Sequence, residues 1–469
     1  MGSASYEFGL IGLGVMGRNF ILNVAERGFS ALGYDLDPEQ AAALRQEGKR
    51  IGTVEGTSDL KVFVRGLNRP RKIMLLVPAG PIVDQVIEDL LPLLESGDII
   101  VDGGNSYFED TDRREEYLQD RGIHFFGAGV SGGAEGARRG PSIMPGGSSE
   151  AYQELRPIYE AVAAKFKGEP CVAYLGPRSA GNYVKMVHNG IEYGLMQLTA
   201  EFYDILKSLG GFSNQELQQV FQQWNQGRLQ SFLIEITAEI LGQKDPLGEG
   251  SLVDKILDKA KQKGTGKWTS QNGMDLGVPV PTIDIAVSMR AISALKDVRQ
   301  QAETHYPKPT AELDPKALRA MCEEALYFAF LLTYSQGLHQ LSEASREYEY
   351  HLDLSTVARI WRAGCIIRAA ALDDIAGAYE NEATLENLVL SETFIPVIKE
   401  TVPAGRKVLQ FAVAAGIPMP ALSASLTYFD ALTTGRLPMN LVQAQRDYFG
   451  SHTYQRTDRD GVFHTNWGS

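Results

Sequence analysis

Residues 185–193 read KMVHNGIEY. Lys185, His188, Asn189 and Glu192 stand at i, i+3, i+4 and i+7, the spacing of side chains on one face of an α-helix. Met186, Val187, Gly190, Ile191 and Leu195 fall on the other side and would pack inward. A polar face of this make-up is either a catalytic acid/base pair with hydrogen-bonding neighbours or the solvated stripe of an amphipathic surface helix. The stretch alone leaves both open.

The elements upstream supply a second chemistry. Residues 6–11 form an apolar strand pattern, followed by Gly12-Leu13-Gly14-Val15-Met16-Gly17 and a helix-like run to about residue 26. Glycines in a GxGxxG turn between strand and helix let the backbone approach a pyrophosphate, whose charge sits at the helix N-terminus. A second strand pattern over residues 31–35 ends in Asp35, placed to accept hydrogen bonds from the adenosine ribose hydroxyls. Asp37 adds a second negative charge and Leu36 supplies no cation between them, so this local chemistry favours NAD over NADP. Asp35 and Asp37 also read as ordinary loop acids. Further strand runs at 73–77, 98–102 and 123–130 alternate with helical segments, which predicts a doubly wound, mostly parallel sheet. Asn105 in DGGNS and Ser131-Gly132-Gly133 each follow a strand. Ligands of open α/β sheets bind there, so both loops are placed beside a nicotinamide, although plain turn chemistry accounts for them equally.

From about residue 179 long 3.6-period segments take over, giving an α/β Rossmann-type dinucleotide-binding domain (1–178), a large all-α domain (179–439) and a tail (440–469). The helical part repeats itself. Gly194-Leu195-x-Gln197-Leu198 recurs as Gly337-Leu338-x-Gln340-Leu341, and Leu217, Val220, Trp224 and Gly227 recur 137 positions later as Leu354, Val357, Trp361 and Gly364. An internally duplicated helical domain follows. Where the polar stripe should recur, the chain runs EALYFAFLL from Glu324, which is core material. One copy keeping polar residues that the other lost weighs against a merely solvated stripe. Residues 263–268, KGTGKW, gather two cations, a hydroxyl and two glycines in a loop suited to phosphate or carboxylate. The tail has little helical periodicity but carries Arg446, Tyr448, His452, Tyr454 and Trp467, more aromatic than a disordered segment. It is expected to dock on a partner subunit.

The bulk numbers set limits. At 469 residues two or three domains are expected. Hydrophobic content of 44% and charged content of 22% suit a soluble globular protein. No apolar run reaches membrane-spanning length, and the N-terminal stretch lacks the basic and apolar regions of a secretory signal. Three scattered cysteines, Cys171, Cys322 and Cys365, suit a reducing cytoplasm. A net charge of −13 opposes nucleic-acid binding, and the seven histidines show no ligand spacing, so no catalytic metal is expected.

Taken together, the GLGVMG turn, the DGGNS and SGG loops, KMVHNGIEY, KGTGKW and the tail's QRDYFGSHTY closely resemble the 6-phosphogluconate dehydrogenase family, within the β-hydroxyacid dehydrogenase superfamily. The resemblance covers essentially the whole chain. Short relatives such as the 3-hydroxyisobutyrate dehydrogenases share the first domain and a helix lysine but lack the duplicated half and the tail. The resemblance implies oxidative decarboxylation of 6-phospho-D-gluconate to ribulose 5-phosphate in the pentose phosphate pathway. It makes Lys185 the base at the C3 hydroxyl and Glu192 the acid at C1. It implies that Asn105, Ser131, Gly132, Gly133, His188 and Asn189 hold the sugar acid, and that Tyr193, Lys263, Thr265 and Arg290 hold the phosphate. Arg446 and His452 would arrive from the other subunit of a homodimer. Residues 12–17, 35–37, Val77, Pro78, Ala79 and Asn105 would line the cofactor.

Three departures stand out. NADP-using relatives carry Asn-Arg-Thr where this chain has Asp35-Leu36-Asp37, and Val-Lys-Ala-Gly where it has Val77-Pro78-Ala79-Gly80. Both changes remove groups friendly to phosphate, leaving NAD favoured and NADP, the family's usual cofactor, open. Lys261 replaces a small residue, with no physical account beyond tolerance in an exposed loop. The rival functions are another β-hydroxyacid dehydrogenase, which would leave the phosphate cluster without a ligand, and a catalytically silent dinucleotide-binding protein.

Overall fold

The computed structural model describes residues 5–262, 264–306, 308–309, 314–382 and 384–468. Seven strands form the first sheet: β1 (Phe8–Ile11), β2 (Ala31–Tyr34), β3 (Val54–Thr57), β4 (Lys72–Leu75), β5 (Ile99–Asp102), β6 (His124–Ser131) and β7 (Ser142–Pro145). Their spatial order is β3-β2-β1-β4-β5-β6-β7. Pairing is parallel up to β6 and antiparallel between β6 and β7. Sequences such as FGLI and IIVD are buried throughout because helices cover both faces of the parallel part. Separate hydrophobic clusters fill the two sides. Strand order reverses between β1 and β4, the switch point at which such sheets bind ligands. The strand pattern anticipated β1, β2, β4, β5 and β6; β3 and the antiparallel β7 escaped it, being short segments with glycine or proline inside or beside them.

The helical part begins with the 29-residue helix Ala180–Ser208, followed by Asn214–Trp224, Phe232–Gly242, Thr265–Asp275, Pro281–Ala294 and Lys296–His305. A second series starts with the 33-residue helix Pro315–Glu347 and continues through Leu354–Ile360, Ala371–Asn381, Phe394–Ala414 and Pro420–Leu432. The duplication is therefore visible as a long helix and a short one ending at a fully buried tryptophan, Trp224 and Trp361. A further match, GVPVP at 277–281 and GIPMP at 416–420, opens equivalent helices with proline in the first turn. The repeated glycines mark where the two long helices cross. A Cβ on Gly194 would lie 2.6 Å from Thr333 Cγ2, and one on Gly337 would lie 2.5 Å from Ile191 Cδ1.

The tail corrects the expectation drawn from its weak periodicity: Met439–Gly450 is a helix, followed by a hairpin of Tyr454–Gln455 and Val462–Phe463. Asp447 is the helix's single buried residue. It accepts hydrogen bonds from Thr453 N at 2.9 Å, Thr465 N at 3.1 Å, His464 Nδ1 at 2.9 Å and Trp467 Nε1 at 2.8 Å. Burial would raise its pKa, but those bonds outweigh it and hold the carboxylate below its usual range. A helix anchored by one carboxylate, with its apolar residues left exposed, has no core-facing stripe for periodicity to report. Among the described residues no helix is long and apolar enough to cross a membrane.

If Trp224 is a keystone of the first helical half, Trp224→Ala should cost about 3–5 kcal/mol in denaturant unfolding; a loss below about 1 kcal/mol would remove it from that role.

Candidate active site

The polar face of Ala180–Ser208 is not a surface. Lys185 is 6% exposed, His188 is fully buried and Asn189 nearly so. Both sides of the helix are covered because its first turns pass directly under β6. A Cβ on Gly129 would lie 2.4 Å from Lys185 Cβ, so the lysine leaves the helix where only a glycine of β6 leaves room.

Around Lys185 the geometry is continuous. His188 Nε2 lies 3.2 Å from Ser131 Oγ, and His188 Nδ1 lies 3.0 Å from Asn189 Oδ1 and 3.4 Å from Lys185 Nζ. A neutral imidazole with its proton on Nδ1 donates to Asn189 and accepts from the Ser131 hydroxyl. Ser131 in turn accepts from Ile366 N at 3.4 Å. Asn189 Nδ2 donates to Asn105 Oδ1 at 3.4 Å, joining the helix to the loop after β5. Trp361 closes the cleft edge-on to the His188 ring, centroids 5.7 Å apart.

Burial is the largest cause of the pKa shifts in this group, each toward the uncharged form. It lowers the Lys185 pKa, against the pull of Glu192 and Cys365. It drives His188 well below its ordinary value, helped by Lys185 and opposed by the Asn189 hydrogen bond. It raises Glu192, with Lys185 and Arg290 acting the other way. A lysine that gives up its proton easily and a carboxyl that keeps one stand on one face.

Beyond Glu192, the Arg290 guanidinium sits 4.7 Å above the Tyr193 ring and donates to Lys261 O at 3.2 Å. That carbonyl contact gives position 261 a backbone role independent of its side chain. Thr265 starts the helix Thr265–Asp275, with Gly264 left-handed at its N-cap. Gly266 packs against Tyr193; a Cβ there would lie 2.5 Å from the ring. The KGTGKW stretch is thus mostly a helix N-terminus rather than the loop expected of it, and such a terminus favours an anion. Lys263 lies outside the described residues.

At the other end, Gly12 turns with φ of +96° and its backbone approaches Leu76 O so closely that a Cβ would sit 2.5 Å away. Asp35 Oδ2 accepts from Leu13 N at 2.7 Å and Oδ1 from Asp37 N at 3.0 Å. Asp37 caps the helix Pro38–Gly48 through Glu39 N, a structural duty beyond its charge. A cavity of about 310 Å³ is lined by Gly12, Gly14, Asp35, Leu36, Pro78 and Asp89, among others, with no lysine or arginine in its wall. The residues present fit an adenosine dinucleotide: a glycine turn, a fixed carboxylate and an apolar slot. Val15 and Met16 begin the helix Val15–Glu26 behind the turn, whose third glycine, Gly17, packs on Gly12 O. Ala79 follows Pro78 outside the cavity wall. Among the described residues no group of three or more His, Cys, Asp or Glu is placed to hold a metal.

The single chain thus brings together Asn105, Ser131 with Gly132 and Gly133, Lys185, His188, Asn189, Glu192, Tyr193, Thr265 and Arg290. Arg446 and His452 stay exposed on the tail, where Arg446 donates to Gln443 Oε1 at 3.1 Å. Trp361, Cys365 and the Ile366 amide come from the second helical copy and were missed as site residues. The repeated tryptophan was the available signal, but spacing within one copy does not say which copy faces the other's lysine.

A dinucleotide-binding sheet joined to a helix face with a buried lysine and a half-buried glutamate defines an oxidoreductase class. Residues 7–176 match the family profile described as the NAD binding domain of 6-phosphogluconate dehydrogenase, and residues 181–467 that of its C-terminal domain. The chain belongs to the 6-phosphogluconate dehydrogenase family. It is 50% identical over 468 residues to the decarboxylating 6-phosphogluconate dehydrogenase of Lactococcus lactis subsp. lactis, covering 99% of each chain. It is 50% identical over 465 residues to the NADP(+)-dependent decarboxylating enzyme of Bacillus subtilis, covering 98% of this chain and 99% of that one. The Plasmodium falciparum 6-phosphogluconate dehydrogenase, solved in apo form, with NADP+ and with 6-phosphogluconate, superposes with a TM-score of 0.95 at 46% identity, covering 98% of this chain and all of that one.

Because Gly129 sets the height of Lys185, Gly129→Ala should lower kcat by roughly 10²-fold, the cost of a misplacement of about 1 Å, with little loss of expression. Turnover within about twofold of wild type would show that Lys185 tolerates the shift.

Proposed function

We propose that this chain catalyses oxidative decarboxylation of 6-phospho-D-gluconate to D-ribulose 5-phosphate and CO2, with NAD as the preferred cofactor. The observation that carries the chemistry is the helix face on which buried Lys185 and half-buried Glu192 stand beside Asn105 and Ser131. A bound nicotinamide supplies the hydride acceptor. Lys185, disposed to be neutral, takes the C3 hydroxyl proton as that carbon is oxidised. The resulting β-keto acid loses its carboxylate as CO2, and protonated Lys185 stabilises the enolate oxygen. Glu192, disposed to be protonated, delivers a proton to C1 of the enediol. Ser131, Gly132, Gly133, His188, Asn189 and Asn105 hold the sugar acid. Tyr193, Lys263, Thr265 and Arg290 hold its phosphate.

The NAD preference rests on the adenosine end, where Asp35 and Asp89 line a cavity wall without a cation. Leu36, 84% exposed, offers none either. A ribose 2′-phosphate would meet carboxylate and no counter-charge. The functional unit is a homodimer in the cytoplasm. The tail leaves Leu441, Tyr448, Phe449 and Trp467 exposed, and a groove of about 980 Å³ between Pro281–Ala294 and Pro420–Leu432 offers room for such a segment from a second copy. Arg446 and His452 would reach the partner's phosphate site by that route.

Lys185→Met should retain dinucleotide binding and lose about 10²–10⁴-fold in turnover; more than a tenth of wild-type activity would remove it from the base role. Initial rates on 6-phosphogluconate with NAD and NADP in parallel should favour NAD. Asp35→Asn with Leu36→Arg and Asp37→Thr should move that ratio toward NADP; an unchanged ratio would place Asp35 away from the ribose.

A further inference from the structure

Arg114 is 1% exposed and lies outside the cleft, on the helix Phe108–Gln119 behind the sheet's carboxyl edge. Two of its three guanidinium nitrogens are hydrogen-bonded. Nε donates to Asp84 Oδ1 at 2.8 Å, and Nη2 donates to Asp84 Oδ2 and to Gly80 O, both at 3.0 Å. Nη1 makes no hydrogen bond and lies 3.7 Å from Asp102 Oδ2, a carboxylate also 1% exposed.

The contacts lead to two walls of the site. Gly80 ends the segment after β4 whose Val77 and Pro78 line the dinucleotide cavity. Asp84 sits in the first turn of the helix Pro81–Leu90 that follows. Asp102 ends β5 and shapes the loop carrying Asn105, accepting from Gly104 N at 2.9 Å and Ser106 Oγ at 2.5 Å. Asn105 then reaches Asn189 in the substrate cleft.

We infer that Arg114 is a positioning residue that fixes the dinucleotide wall after β4 at a set distance from the substrate-facing loop after β5. The inference rests on the oxidoreductase reading of the site. Hydride transfer requires the two bound carbons within near-attack distance, and small errors in their separation are costly. A planar fork can register Gly80, Asp84 and Asp102 together, which a lysine's single point charge cannot.

The test is single-turnover absorbance of the reduced dinucleotide, with saturating dinucleotide and limiting 6-phosphogluconate at enzyme concentrations in excess of it and well above its Kd, in Arg114→Met, Arg114→Lys and Asp84→Ala. A smaller folded fraction leaves the saturated rate constant alone and lowers the amplitude only when folded enzyme falls below the substrate; a misplaced wall lowers the rate constant. Arg114→Met should slow the rate constant by roughly 10²-fold, with Arg114→Lys and Asp84→Ala falling between it and wild type. An unchanged rate constant in the folded variants, at any amplitude, overturns the inference. Should Arg114→Met not fold, Asp84→Ala decides it, because Asp84 is a partly exposed side chain at the outer end of the clamp. Wild-type protein that forms no reduced dinucleotide from 6-phosphogluconate would instead refute the proposed reaction.

Discussion

The contact on which the rest depends is the backbone-level packing of Ala180–Ser208 beneath β6. A Cβ on Gly181 would lie 2.6 Å from Gly127 O and 2.3 Å from Met144 O, and one on Gly127 would overlap Asn182. Helix and sheet therefore meet without intervening side chains at the first turns. That closeness ties the two domains at the helix start and brings Lys185, His188 and Asn189 against the carboxyl end of β6, beside Ser131. Move the helix outward by one side-chain layer and the same residues would face water, with ordinary pKa values and no serine to bond.

Burial is also what gives these residues their chemistry. Isolated polar groups placed in such a site lose solvation that they must recover from neighbours. His188 recovers it from Ser131 and Asn189. Lys185 and Glu192 recover part of it from each other. The second helical copy completes the enclosure with Trp361, Cys365 and the Ile366 amide. Duplication thus produced an asymmetric pair. One long helix kept a polar face, while its equivalent became core, with Phe328, Leu331 and Leu332 buried, and the loop beyond it walls the cleft.

The tail follows a different logic. Its internal order comes from Asp447, which binds helix to hairpin, yet its apolar side chains remain uncovered. Its aromatic content raised the expectation of a docking surface, while its pattern gave no sign of the helix Met439–Gly450.

Local patterns were enough to determine the dinucleotide turn, the parallel strands up to β6, the helical duplication and the helix bearing Lys185 and Glu192. Each rests on interactions within a few residues or on a period imposed by one buried face. Which face of that helix was functional was legible only indirectly, from the loss of its polar residues in the second copy. Tertiary structure alone decided that Lys185, His188 and Asn189 are buried, that Trp361 packs on His188 and Ile366 N donates to Ser131, that Asp37 is a helix cap, and that Arg114 bonds Gly80 and Asp84 while approaching Asp102. Those facts depend on contacts between residues far apart in the chain, such as Ser131 with Ile366. No spacing encodes them, because the partners are chosen by how closely backbones can approach in three dimensions.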